Sequence, residues 1–169
     1  MAHECFGVTM GDKTLCFLVR GDPPQVLLGF KKAGFGAGKY AGFGGAIEAG
    51  ETIEAATVRE LFEEAGLKVP EDALTPIGHL TFLFPSKPHW SQVVHVFLAR
   101  EWEGNPVESD EMRPTWCEID ELPFESMWDD ASYWLPRILQ GEKTKAQFVY
   151  KDDNQTVGEA QVEAWTDKA

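Results

Sequence analysis

The chain is short of positive charge, of cysteine and of long apolar runs, and each shortage narrows the field. It has 15 Lys and Arg against 28 Asp and Glu, a formal net charge of −13. A protein that tracks long nucleic acid needs a positive face, so this excess argues against that class. It leaves room for a small phosphorylated substrate that brings its own metal ions. The cysteines are three, Cys5, Cys16 and Cys117, an odd number without metal-ligand spacing. Reduced, mostly structural thiols in a cytoplasmic protein are expected. His79, His89 and His95 show no ligand spacing either and read as structural. No basic segment followed by an apolar core opens the sequence, and no apolar run is long enough to cross a bilayer, so no membrane partner is expected. Internal repeats, low-complexity tracts and linkers are also missing. At 169 residues, one domain over residues 1–169 is expected.

What is present has the rhythm of an α/β chain. Residues 14–19 and 26–30 read as strands around a Gly-Asp-Pro-Pro turn. Residues 34–38 form a glycine-rich loop around Phe35, without the Lys-Ser/Thr ending of a phosphate-binding P-loop. Residues 74–84 and 93–99 read as antiparallel partners across the loop 85–91, with Phe82 and Phe84 on one strand face. An acidic loop (105–111), a short strand (115–119), a helix (133–140, with Pro136 in or near its first turn) and a terminal hairpin (147–151 with 158–162) complete the series.

Residues 45–67, GAIEAGETIEAATVRELFEEAGL, carry the chemistry. A helix is expected over residues 52–65, capped by Thr52 and stopped by Gly66. At 3.6 residues per turn, Val58, Leu61, Phe62 and Ala65 share one arc. Glu60, Glu63 and Glu64 lie opposite, beside Ala56 and Thr57. Glu60 and Glu64 repel each other at one turn's spacing. A hard cation between them would reverse that penalty, because Mg²⁺ takes carboxylates, phosphates and water as ligands. Arg59, one turn before Glu63, can hold that carboxylate. Three glutamates on one face alone describe a solvated acidic helix. Gly45, Glu51, Arg59 and Gly66 at fixed offsets have no role in such a face.

These residues match, at every specified position, the Nudix box G-x5-E-x7-R-E-U-x-E-E-x-G-U, where U is aliphatic. The chain therefore resembles the Nudix hydrolases. The resemblance implies an α/β/α sandwich with a central mixed β-sheet and a Mg²⁺-dependent hydrolase (Mn²⁺ as a substitute) of a nucleoside diphosphate linked to another group. It implies Glu60, Glu63 and Glu64 as metal ligands, Arg59 as the residue that orients a glutamate, and Gly45 as a strand end whose backbone approaches metal and phosphate.

Four further segments, KKAGFGAGKYAGFGG, VHVF, PVESDEMRPTW and MWDDASYW, resemble the oxidised purine nucleoside triphosphatase branch of that family. The branch implies a base pocket of Phe35, Phe82, Phe84, Met127, Trp128 and Asp130, with Lys31 near phosphates or sugar. Thr14, Ala41, Gly44, Gly45 and Gln92 join the implied substrate contacts. Glu111 resembles a further glutamate near the metal. A flat purine needs aromatic faces, and stacking is worth roughly 1–3 kcal/mol per base. Asp130 reads a base edge as an acceptor when ionised and as a donor when protonated. The plainer alternatives are core packing for Phe82 and Phe84, helix capping for Asp129 or Asp130, and solvated loop charges for Lys31 and Lys32. The chain departs from the branch at Ala41, where the branch has asparagine, at Ala131, where it has a second aspartate (the alternative is a local shift that aligns Asp129 and Asp130 with the pair), and in a longer loop 85–91 that brings Trp90 or Gln92 into play.

The expected reaction is hydrolysis of a purine nucleoside triphosphate, such as 8-oxo-dGTP or 2-hydroxy-dATP, to monophosphate and pyrophosphate. Glu64, Glu63 or Glu111 takes the proton of the attacking water. Two rivals stay open: a Nudix enzyme for a nucleotide sugar, dinucleotide or unmodified triphosphate, and a non-catalytic nucleotide sensor. A cytoplasmic monomer with a small nucleotide as partner is expected.

Overall fold

A computed structural model of the chain describes residues 2–5 and 8–166, with side chains from Met10 onward. The side chain of Cys5 lies outside the described residues. The strands are β1 (Ala2–Cys5), β2 (Val8–Arg20), β3 (Gln25–Lys31), β4 (Tyr40–Ala41), β5 (Phe43–Ala46), β6 (Thr75–Leu83), β7 (Gln92–Ala99), β8 (Met112–Glu118), β9 (Thr144–Tyr150) and β10 (Val157–Ala164). The helices are α1 (Ile53–Ala65) and α2 (Ala131–Leu139).

The strands form one mixed sheet in the order β10-β9-β6-β7-β2-β3-β4, with β1 and β5 also on β2 and β8 on β3. The β2/β7 and β6/β9 pairs are parallel, and the other named pairs are antiparallel. The 13-residue β2 organises this arrangement. Residues 11–18 pair with β7, residues 13–16 also pair with β5, and Val19–Arg20 turn to β3. The expected antiparallel partnership of β6 and β7 and the terminal hairpin of β9 and β10 are both present.

Strand alternation divides the core between the two sheet faces. Phe17 and Val19 of β2 join a cluster with Trp134, Leu135 and Ile138 of α2. Cys16 and Leu18 face the other way, with Leu61 and Ala65 of α1. The helices therefore cover opposite faces, the α/β/α sandwich that the resemblance implied. Burial pushes the Cys16 thiol up to about 12, so it is an inert core group.

The capping of α1 follows expectation. Thr52 accepts a hydrogen bond from the Ala55 N–H at 3.0 Å, and Gly66 stops the helix at φ 71°. Its buried face does not. Phe62 is 50% exposed and Val58 only half-buried, while Ala56, Thr57, Leu61, Glu64 and Ala65 are buried. The helix is rolled toward its acidic side, because Glu60 and Glu64 pack against the bare backbone of β5. Helix α2 begins two residues earlier than its periodicity suggested. Pro136 thus sits inside it as the sixth residue. Proline removes one helical hydrogen bond, and the helix ends three residues later.

Candidate active site

The acidic end is built where α1 meets β5. Gly44 pairs with Leu15 and Gly45 with Thr14 of β2. A Cβ on Gly44 would come within 1.8 Å of the Thr14 carbonyl oxygen, and one on Gly45 within 2.7 Å of the Glu60 carboxyl carbon. Only glycine lets the helix carboxylates reach this backbone. The Gly44 N–H donates to Glu64 Oε1 at 2.8 Å.

Arg59 anchors the neighbouring acids. Its Nε and Nη2 donate to both oxygens of Glu51 at 2.7 and 2.9 Å, and Nη1 donates to Glu60 at 2.9 Å. Glu63, the partner expected from helical spacing, is reached only at 3.3–3.4 Å. The fork is taken by Glu51, because a bidentate guanidinium–carboxylate pair is the stronger arrangement. The hydrogen bonds from Arg59, then that from the Glu48 N–H, hold the Glu51 carboxyl down to about 2.

Two acids are perturbed upward. Burial, above all, raises Glu60. Burial also pushes Glu64 up to about 8; the Gly44 N–H opposes this, and the charges of Glu60 and Glu111 add to it. Glu111 is exposed, just before β8, and close enough to act on both. Among the described residues, no three His, Cys, Asp or Glu side chains converge at ligand spacing. The implied set of Gly45, Glu60, Glu63, Glu64 and Glu111 is thus not drawn onto one point. Glu60 and Glu63 turn to Arg59, and Glu64 to the Gly44 N–H. The donor set still fits a hard divalent cation: oxygen ligands, two of them raised by burial and by neighbouring carboxylates, beside a guanidinium already engaged by Glu51.

From Glu64 a cavity of about 570 Å³ runs along β2 to Ala131 and Trp134 of α2. Its lining includes Thr14, Lys31, Phe35, Ala41, Gly44, Gly45, Phe82, Phe84, Gln92, Met127, Trp128 and Asp130. Thr14 turns its hydroxyl to Thr57 of α1, so that side chain is not directed at the aromatic end. Aromatic rings build the far wall. Phe35 stacks on Trp128 at 5.1 Å between centroids, and Trp90 stands edge-on to Phe35 and Phe84 at 5.2 and 5.6 Å. Phe82 stacks on Phe148 and Phe84 on Tyr150, since β6 and β9 run in parallel register. The two phenylalanines are both core and cavity wall. The glycine-rich loop brings Phe35 over Trp128, and a Cβ on Gly36 would lie 3.1 Å from the Trp128 Nε1.

Asp130 is buried at 4% exposure and lies at the N-cap position of α2 without capping it through its side chain. Its Oδ2 accepts from Trp134 Nε1 at 2.7 Å and its Oδ1 from the Tyr150 hydroxyl. Asp129 instead accepts from the Val157 N–H at 2.8 Å and ties down the hairpin. Lys32 is ion-paired to Glu108 at 2.6 Å, the surface alternative, whereas Lys31 lines the cavity. His95 bonds Asp12 at 2.8 Å and packs edge-on to His79, as structural histidines do; His89 departs from that reading and lines the cavity rim.

Sequence reasoning missed Lys13, Lys39, Trp134 and Tyr150. Lys13 had a usable signal, since it alternates with Leu15 and Phe17 on β2. Tyr150 had none, being 20 residues from its partner.

A family model described as NUDIX domain matches residues 10–138. The chain belongs to the Nudix family. It is 48% identical over 132 residues to the oxidized purine nucleoside triphosphate hydrolase of Mus musculus, covering 78% of this chain and 83% of that protein. It is also 48% identical over 139 residues to the protein of the same name from Danio rerio, covering 82% and 87%. Among solved structures, a mutator MutT protein from Bacillus halodurans superposes with a TM-score of 0.75 at 25% identity, covering 91% of this chain and 98% of that one. In this Nudix chain, the family box spans the end of β5, α1 and the turn after it.

Proposed function

We propose that this chain, as one Nudix domain, hydrolyses purine nucleoside triphosphates to monophosphate and pyrophosphate, with oxidised purine deoxynucleotides such as 8-oxo-dGTP favoured. The observation that carries the reading is a single cavity with Glu64 at one end and an aromatic wall with a buried carboxylate at the other. The mouse and zebrafish relatives, named for oxidized purine nucleoside triphosphates, agree with it.

Phe35, Trp128 and Phe84 offer faces for a purine, and Asp130 reads its edge. Lys31, Lys13 and Lys39, which line the same cavity in an acidic chain, attract the triphosphate. Glu60, Glu63, Glu64 and Glu111, with the Gly45 backbone, would hold Mg²⁺, or Mn²⁺ in its place. When bound, the cation supplies neutralisation of phosphate charge and a more acidic water. Arg59 fixes Glu51 and Glu60, and so the rim of the acidic cluster. Glu64, Glu63 or Glu111 accepts the proton of the water that attacks phosphorus. Positioning and electrostatic stabilisation dominate such a reaction.

No helix among the described residues is long and apolar enough to cross a membrane. A cytoplasmic monomer acting on free nucleotides is our reading. The test is a nucleotide panel with Mg²⁺, scoring pyrophosphate against phosphate release. A kcat/KM for 8-oxo-dGTP well above that for dGTP is expected. Equal values would remove the preference for oxidised bases, and no release from any purine triphosphate would remove the reading.

A further inference from the structure

Tyr150 of β9 makes three contacts with the aromatic end of the cavity. Its ring stacks on Phe84 at 4.6 Å and 16°, and meets Trp128 edge-on at 5.8 Å. Its hydroxyl donates to Asp130 Oδ1. The same hydroxyl oxygen also accepts from the Asp130 backbone N–H at 3.3 Å, so the phenol is held to residue 130 by two hydrogen bonds. On the other side, Trp134 Nε1 can only donate, and it donates to Oδ2 at 2.7 Å. Both oxygens of Asp130 are thereby used as acceptors, an arrangement that favours the carboxylate and opposes the burial that raises its carboxyl above the ordinary aspartate range. An ionised carboxylate has about four lone-pair sites. One on each oxygen is left for a ligand, and the group has no proton to offer.

We propose that Tyr150 is a specificity-determining positioning residue: it fixes Asp130 as a paired acceptor and commits the cavity to a purine edge with two adjacent N–H donors. Guanine and its 8-oxidised form present that edge through N1–H and the 2-amino group. Adenine presents one amino donor beside the N1 acceptor, which would face a carboxylate lone pair. Ala41 and Ala131 line the same cavity and have no side-chain group to compensate that mismatch. A site that leaves a polar group unpaired discriminates strongly. The inference rests on the reading that this cavity takes a purine.

The test is equilibrium binding of dGMP, 8-oxo-dGMP and dAMP, read by tryptophan fluorescence, for the wild type and Tyr150→Phe. Phenylalanine keeps the ring that stacks on Phe84 and removes only the hydroxyl. The wild type is expected to prefer both guanine-type monophosphates over dAMP by at least about tenfold, and Tyr150→Phe to narrow that ratio by about tenfold. A loss of packing alone would weaken all three ligands together and leave the ratio intact, which would overturn the proposal. A wild type without preference would overturn it as well. Should Tyr150→Phe not fold, Asp130→Asn decides. An amide pairs a donor and an acceptor with adenine, so the ratio is expected to move toward dAMP; an unmoved ratio refutes the role. Because binding is scored without turnover, failed hydrolysis with the expected ratios would sink the proposed reaction alone. Hydrolysis with unmoved ratios would sink this inference alone.

Discussion

Replacing Glu64 by glutamine separates the cost of the acidic site from its use. Glu64 is 5% exposed, and burial carries its carboxyl from an ordinary 4.5 to about 8. Between those values the folded state holds a proton that the unfolded chain has released. Stability therefore falls as pH rises through this window, and the favourable contribution is complete only below 4.5. At about 1.4 kcal/mol per pH unit, the ceiling of the loss is about 5 kcal/mol, and water entry and relaxation bring a realistic figure to about 2–4 kcal/mol. Glutamine keeps the acceptor for the Gly44 N–H and has nothing to ionise. In metal-free buffer the variant should match the wild type near pH 5 and exceed it near pH 9 by about 2–4 kcal/mol, or several degrees in melting temperature. Urea unfolding in chelator at pH 5, 7 and 9 measures this. Parallel pH profiles, or a variant less stable at every pH, would refute the reasoning. With Mg²⁺ and substrate, the same variant should lose roughly 10²–10⁴ in kcat. A gain in stability with a loss in turnover is the signature of a group kept for function.

Gly44→Ala should fail to fold or lose at least about 3 kcal/mol in denaturant titration, since the new methyl group would meet backbone, which cannot swing away as a side chain can. Trp128→Ala should raise KM by about 5–150-fold, the equivalent of about 1–3 kcal/mol of stacking, with a smaller change in kcat. Steady-state kinetics with the preferred purine triphosphate checks it. Ala41→Asn puts an amide on the cavity wall and should change the ratio of kcat/KM values between 8-oxo-dGTP and 2-hydroxy-dATP; an unchanged ratio would place residue 41 away from the base. Mg²⁺ added to weakly buffered protein at pH 7 should release up to about one proton per chain, because Glu64 must ionise to bind it. Glu64→Gln should release less.

The box was legible because its constraints are local. Thr52 and Gly66 cap the helix that contains Arg59, Glu60 and Glu64, and one turn of spacing puts two acids on one face. What periodicity could not give was the roll of that helix. Phe62 looks like a core residue by pattern, yet it is half-exposed, because the close fit of Glu60 and Glu64 to Gly44 and Gly45 turned α1 about its axis. Arg59 reaches Glu63 as helical spacing implied, but its shorter, bidentate pair is with Glu51, which the loop after β5 returns to the guanidinium fork.

Sequence alone determined the chemistry-bearing segment, the alternation that assigns strand faces, and the family. These are properties of neighbours along a chain, set by 3.6- and 2-residue periods. Tertiary structure alone decided that the acidic helix and the aromatic wall share one cavity, and that Tyr150 holds Asp130. One turn of helix already puts Trp134 beside Asp130, but the Tyr150 contact joins β9 to the start of α2 over a separation for which no local periodicity leaves a trace, and only packing brings it within hydrogen-bond reach.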